Sequence, residues 1–148
     1  MSSNAISGVG TVFSRWSGSA WTALAEVKDI KGPGMKRETI EVTNLSSLGG
    51  YKEFIAGFRD AGTVSLTMNF TYATYCLLLA DFESNLEGYY AITLPDVGST
   101  TFEFGGLVTE LPLNVSAKDA VTADCTITIS GQVEVFEGAP SGAPSSNV

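Results

Sequence analysis

The chain has 148 residues and a mass of 15.5 kDa, enough for one domain whose core needs no disulfide or metal. It is 44% hydrophobic, only 16% charged, and carries a net −8 with no histidine. That excludes Ser-His-Asp and Cys-His catalysis, histidine metal sites and imidazole pH switching, and so acidic a chain does not hold DNA by phosphate neutralisation.

Residues 1–18 are rich in Ser and Gly with scattered apolar positions, and read as a flexible N-terminal arm. They lack the basic region and apolar run of a signal peptide. Trp21 to Ile30 reads as a strand that stops at the turn signal Gly32-Pro33-Gly34. Glu38 to Leu45 alternates, with Ile40 and Val42 on one side. Residues 45–62 then form a long loop with four glycines between Ser46 and Gly62, yet they include Leu48, Tyr51, Phe54, Ile55 and Phe58. Loops in compact domains are short and mostly polar. Two readings fit: a weakly patterned hairpin folded onto its own core, or a projecting loop that meets a partner, and the apolar content favours the second.

Thr63 to Phe70 is the cleanest strand, with Val64, Leu66, Met68 and Phe70 facing inward and Thr63, Ser65, Thr67 and Asn69 outward. The period then changes. Tyr72, Tyr75, Cys76, Leu79 and Phe82 fall at helical spacing, which predicts an amphipathic helix over 72–84 capped by Thr71. Strands resume at Glu87 to Leu94, at Thr100 to Leu111 with a break expected at Gly105-Gly106 as a bulge or bend, and at Ala120 to Phe136. In this last strand Val121, Ala123, Cys125, Ile127 and Ile129 share one face and Thr122, Asp124, Thr126 and Thr128 the other, until Gly131 interrupts. Residues 137–148 read as a flexible Gly/Pro/Ser tail. The fold class that follows is mainly β: an antiparallel β sandwich or partial barrel over 19–136 with one inserted α-helix.

No constellation for chemistry emerges. Asp81 and Glu83 diverge on a helix, and neither glycine cluster leads into a phosphate loop. Cys76 and Cys125 sit on apolar faces and read as buried free thiols, without a CxxC pair. No catalytic residue, metal site or cofactor is expected, and no run is long and apolar enough for membrane insertion. The charge is uneven: Met1 to Thr74 holds seven basic and six acidic residues, Tyr75 to Val148 one basic and ten acidic. The outward strand faces are rich in Thr and Ser, hence poorly guarded against edge pairing. Flexible ends and an apolar loop complete a picture of assembly.

A resemblance follows from several ordered motifs. Trp21-x-x-Leu24-Ala25-x-Val27-Lys28-Asp29 is one. Ala61-Gly62-x-x-Ser65-x-Thr67 follows, leading to Phe70 and to the helix end Leu78-Leu79-Ala80-Asp81-Phe82. Then come Tyr90-x-Ile92-x-x-Pro95, Phe104-x-Gly106-x-Val108 and Ser116-Ala117-Lys118-Asp119. Together they resemble the tail tube proteins (major tail proteins) of long, non-contractile-tailed bacteriophages of the lambda type, over about Trp21 to Val135. Unlike in lambda's protein, no C-terminal immunoglobulin-like domain is expected after the last strand.

The resemblance implies a virion tail subunit, made in the host cytoplasm, that partners itself in hexameric rings stacked into a tube. It implies a tape-measure protein inside, tail tip and tail terminator proteins at the ends, and transient non-specific passage of double-stranded DNA. In that setting Thr63, Ser65, Thr67, Asn69, Thr122, Asp124 and Thr126 are expected to face the lumen, with Asp124 and Glu41 supplying negative charge. Leu48, Tyr51, Phe54, Ile55 and Phe58 are expected to form the ring-ring contact loop. Two alternatives stay open: the tube subunit of a phage-like particle such as a gene transfer agent or secretion tube, and, more distantly, a carbohydrate-binding β-sandwich adhesion module.

Overall fold

The structure is a computed structural model, described here for residues 10–24, 27–43 and 48–140. Eight strands form one antiparallel sheet. They are β1 (Val12–Trp16), β2 (Trp21–Ala23), β3 (Val27–Lys31), β6 (Thr63–Asn69), β7 (Gly88–Thr93), β8 (Thr101–Glu110), β9 (Leu113–Asn114) and β10 (Thr122–Phe136). Their order is β2-β1-β7-β8-β10-β6-β3, with β9 paired to the start of β10. Two further strands, β4 (Lys36–Glu41) and β5 (Phe54–Asp60), pair only with each other. One helix, α1 (Tyr72–Glu83), links β6 to β7.

Strands near both ends of the sheet feed a single core. Phe13 of β1, Tyr90 and Ile92 of β7, Phe104 and Val108 of β8, Ala123, Cys125, Ile127 and Ile129 of β10, and Val64, Leu66 and Met68 of β6 are all buried in it. Ile30 of β3 packs on its margin. A flat sheet could not bring β1 and β3 to one core, so the sheet curls around it and α1 contributes Leu78. The alternation of β6, and of β10 as far as Ser130, is what the period-two pattern demands: each inward residue is apolar and each outward one polar.

Six local expectations are corrected. Val12–Trp16, assigned to the arm, is a sheet strand, because Phe13 enters the core and its neighbours pair with both β2 and β7. Trp21 to Ile30 is not one strand: β2 pairs with β1, whereas β3 pairs with β6. The segment 54–60 is a strand rather than a loop. The break is not at Gly105-Gly106, which pair regularly with Ser130 and Ile129; register shifts flank these pairs, between Thr126 and Ile127 and, in β10, between Ser130 and Glu134. Gly131 sits there at φ 85, a conformation side chains disfavour, so the extra residues are accommodated in β10. Phe70 and Val121, expected inward, lie beyond their strands and are partly exposed.

The sixth correction concerns the helix. Its bounds and the Thr71 cap hold: the Thr71 hydroxyl accepts from the Thr74 N–H at 3.4 Å. Its orientation does not. Thr74 and Leu78 are the buried residues, while Tyr72 is 79% exposed and Phe82 half exposed. The helix is turned by roughly a third of a turn from the expected face, at about 100° per residue. The cause is polar. Asp81 is drawn inward, where its carboxylate accepts two bonds from the Arg15 guanidinium, at 2.7 and 2.6 Å, and one from the Tyr90 hydroxyl at 2.7 Å. That cluster pins α1 to β1 and β7.

The tail expectation lies mostly outside the described residues, as do positions 1–9 of the arm. Within them, Gly138 is held to the body: its carbonyl accepts the Thr101 hydroxyl at 2.6 Å, and its N–H donates to Gly98 at 2.9 Å.

Candidate functional site

The outward faces of β6 and β10 form one surface. Their antiparallel register sets Asn69 opposite Thr122, Thr67 opposite Asp124, Ser65 opposite Thr126 and Thr63 opposite Thr128. Strands lie about 4.8 Å apart, so these side chains make a compact block of hydroxyl, amide and carboxylate groups. Asp124 is its centre. The Thr67 hydroxyl donates to it at 2.8 Å and the Asn114 amide at 3.0 Å, so β9 is tied to the block.

The block extends beyond the residues singled out from sequence. Thr128 continues the row, and the Thr109 and Thr128 hydroxyls of β8 and β10 lie within hydrogen-bond distance, 3.3 Å. From β3, Asp29 pairs with Thr67 and Lys31 with Ser65, while Glu110 pairs with Thr126. The face therefore carries Asp29, Glu110 and Asp124 against a single lysine among the described residues. Thr128 was legible in the alternation of its strand; Asp29 and Lys31 were not, because only the β3–β6 pairing puts them there. Glu41 is not brought to this face: it lies on β4 opposite Phe54.

The β4–β5 hairpin is the second feature. Ile40 faces Ile55 across it, Glu41 faces Phe54, and a register shift falls between Arg37 and Thr39. Ile40 and Ile55 share one face and Phe54 lies on the other, yet all three are about half exposed. Phe58 is 86% and Tyr51 78% exposed. Among the described residues neither face of this ribbon is covered, and an uncovered two-stranded ribbon is marginal in water. Arg37 and Arg59 sit directly opposite each other in its stem, a like-charge pair that is unfavourable across a ladder. Leu48 belongs to a 3₁₀ turn, Leu48–Gly50, before β5, and its side chain lies outside the described set.

Residues 6–136 match the family of lambda phage tail tube proteins. The chain belongs to that family. It is a phage tail tube subunit, and the fold agrees. The tail of an empty gene transfer agent particle, solved by helical refinement with C6 symmetry, superposes with a TM-score of 0.75 at 21% identity, covering 89% of this chain and 99% of that one. The virion of a native gene transfer agent particle gives 0.74 at 18%, covering 89% and 99%. The tube-terminating cap of the anti-feeding prophage gives 0.71 at 11%, covering 93% and 95%. At such identities these likenesses concern the fold. No curated protein matches the sequence.

As a tail tube protein the molecule is a structural one, and its remaining groups fit scaffolding. Cys125 is fully buried and its thiol is pushed up to about 12 by burial, the opposite of an activated nucleophile. Cys76 is free and only partly buried. Burial, with the nearby Asp81 carboxylate, raises the Tyr90 phenol far above its ordinary range. The Arg15 guanidinium is raised by its bonds to Asp81.

Proposed function

We propose that the β6–β10 face lines the bore of a tube of stacked hexameric rings and that duplex DNA slides over it into the host. The observation that carries this is the register: Thr63, Ser65, Thr67, Asn69, Thr122, Asp124 and Thr126 lie together on one surface that is net acidic. Duplex DNA carries one charge per about 1.7 Å of axis, so a basic wall would retain it through counterion release, whereas hydroxyls and carboxylates let it pass. Chains at −8 each make the ring as a whole repel phosphate. Glu41, on the hairpin, adds negative charge away from this row.

On the same reading the chain's main partner is itself. The tape-measure protein occupies the bore before DNA does, and tail tip and tail terminator proteins close the ends. The protein resides in the virion tail after assembly from the host cytoplasm. Tyr51, Phe54, Ile55 and Phe58, with Leu48, form the contact between rings. The C6 tail of the gene transfer agent neighbour supports sixfold closure and favours a second reading, a tube in a phage-like particle.

The test is Asp124→Lys in assembled particles. Slow or incomplete DNA release at low salt, relieved as salt is raised, supports the lining; release unchanged at low salt overturns it.

A further inference from the structure

The exposed side of α1 is as unusual as the hairpin. The helix, YATYCLLLADFE, carries no charge until Asp81, and Asp81 is engaged with Arg15 and Tyr90. Only Thr74 and Leu78 are buried. The remaining faces still present Tyr72, Leu77 and Phe82 to solvent, with Leu86 just beyond the end. A helix that is apolar on all sides is normally covered on all sides. Charge begins at its C-terminal end, where Glu83 and Glu87 are exposed.

We infer that the outward face of α1 is the seat for the β4–β5 hairpin of a second copy of this chain, in the adjacent ring. The inference rests on the tube reading above and specifies where the hairpin docks. Three features match. Each surface is apolar and exposed, and among the described residues neither is covered within its own subunit. The hairpin offers large projecting side chains, Tyr51 and Phe58 foremost, while the middle of the helix offers a lower surface at Ala73, Cys76 and Ala80. The charges complement: the hairpin stem sets Arg37 against Arg59, and a carboxylate between them would relieve that repulsion. Glu83 and Glu87 lie beside the apolar helix face, in the acidic half of the chain, and the hairpin lies in the half that holds seven of the eight basic residues.

The reach is adequate. Seven residues of β5 span about 20 Å at ~3.3 Å per residue. Exposed aromatic side chains bury on the order of 150–250 Å² each. One hairpin thus covers less than the ~800 Å² per partner of a standard interface, and stacking becomes firm only when a whole ring engages at once. That fits a subunit that stays soluble until a ring templates the next.

Native Cys76 supplies the test. Tubes are assembled from Phe58→Cys, Tyr51→Cys or Lys52→Cys protein, the last keeping every apolar hairpin residue, and oxidised with copper phenanthroline. Cys125 is fully buried and does not compete. The expected result is a ladder of disulfide-linked subunits on a non-reducing gel, lost when Cys76→Ser is added. Tubes without a ladder in all three variants, or a ladder that persists with Cys76→Ser, overturn the hairpin–helix contact and leave the tube reading standing. Wild-type protein that forms neither rings nor tubes overturns the tube reading and this contact with it.

Discussion

Replacing Asp81 by Asn tests how the helix is held. The substitution keeps the side-chain volume and removes the charge that receives both Arg15 bonds and the Tyr90 hydroxyl. The Arg15 and Asp81 side chains are only 16% and 14% exposed, and Tyr90 is fully buried. Removing one partner of such a pair leaves a largely desolvated guanidinium facing a neutral amide, at a cost of about 3–5 kcal/mol for a fully buried pair. The residual exposure places Asp81→Asn near the lower end, about 3 kcal/mol. For a domain of this size that lowers Tm by roughly 6–12 °C, at about 2–4 °C per kcal/mol. The assay is urea unfolding of the subunit for Asp81→Asn, Arg15→Met and the double variant. The double variant, which leaves no orphan charge, is expected to be closer to wild type than the sum of the singles by about 1–3 kcal/mol. A single-variant loss below about 1 kcal/mol with no coupling would refute the claim that this cluster sets the helix orientation.

Other expectations follow from single features. A Cβ at Gly106 would sit 2.5 Å from the Thr128 carbonyl oxygen and 2.9 Å from Ile127 Cγ2, so Gly106→Ala should lose about 1–3 kcal/mol or more in urea titration. Cys125 and Tyr90 are both raised on folding, so their stabilisation is complete below the unfolded pKa values and is lost as pH rises toward the folded ones. Stability should fall by about 1.4 kcal/mol per pH unit above ~9 and about twice that above ~10, and Cys125→Ala should abolish the first step. Burial, and then the facing Glu134, raises the Glu103 carboxyl, so its ionisation destabilises the fold as pH rises through that raised pKa. Glu103→Gln should therefore raise Tm at pH 7, and the gain should vanish under acid conditions where Glu103 is protonated anyway. Phe58→Asp should leave the monomer's Tm unchanged and abolish tubes in negative-stain images, since Phe58 touches water rather than core; tubes of normal length would remove the hairpin from the ring contact.

The residues of β6 and β10 declare themselves in sequence because alternation is a local property. Val64, Leu66 and Met68, or Ala123, Cys125 and Ile127, need no distant information to face a core, and their polar neighbours are then committed to the opposite surface. The helix start was legible for the same reason, since Thr71 and the N–H it caps are three residues apart. Family membership was legible too, through motifs whose order survives along the chain.

What the sequence could not show depends on partners far away in it. Arg15 and Asp81 are 66 residues apart, and their ion pair turns α1 so that Tyr72 faces water and Thr74 the core, against the helix's own apolar pattern. β1 is five residues long between Gly- and Ser-rich flanks and becomes a strand only because β2 and β7 pair with it on either side. Asp29 and Lys31 join the polar face only through β3's pairing with β6. Periodicity records which residues share a side; pairing and buried charge decide which side is in, and those are settled when distant segments meet.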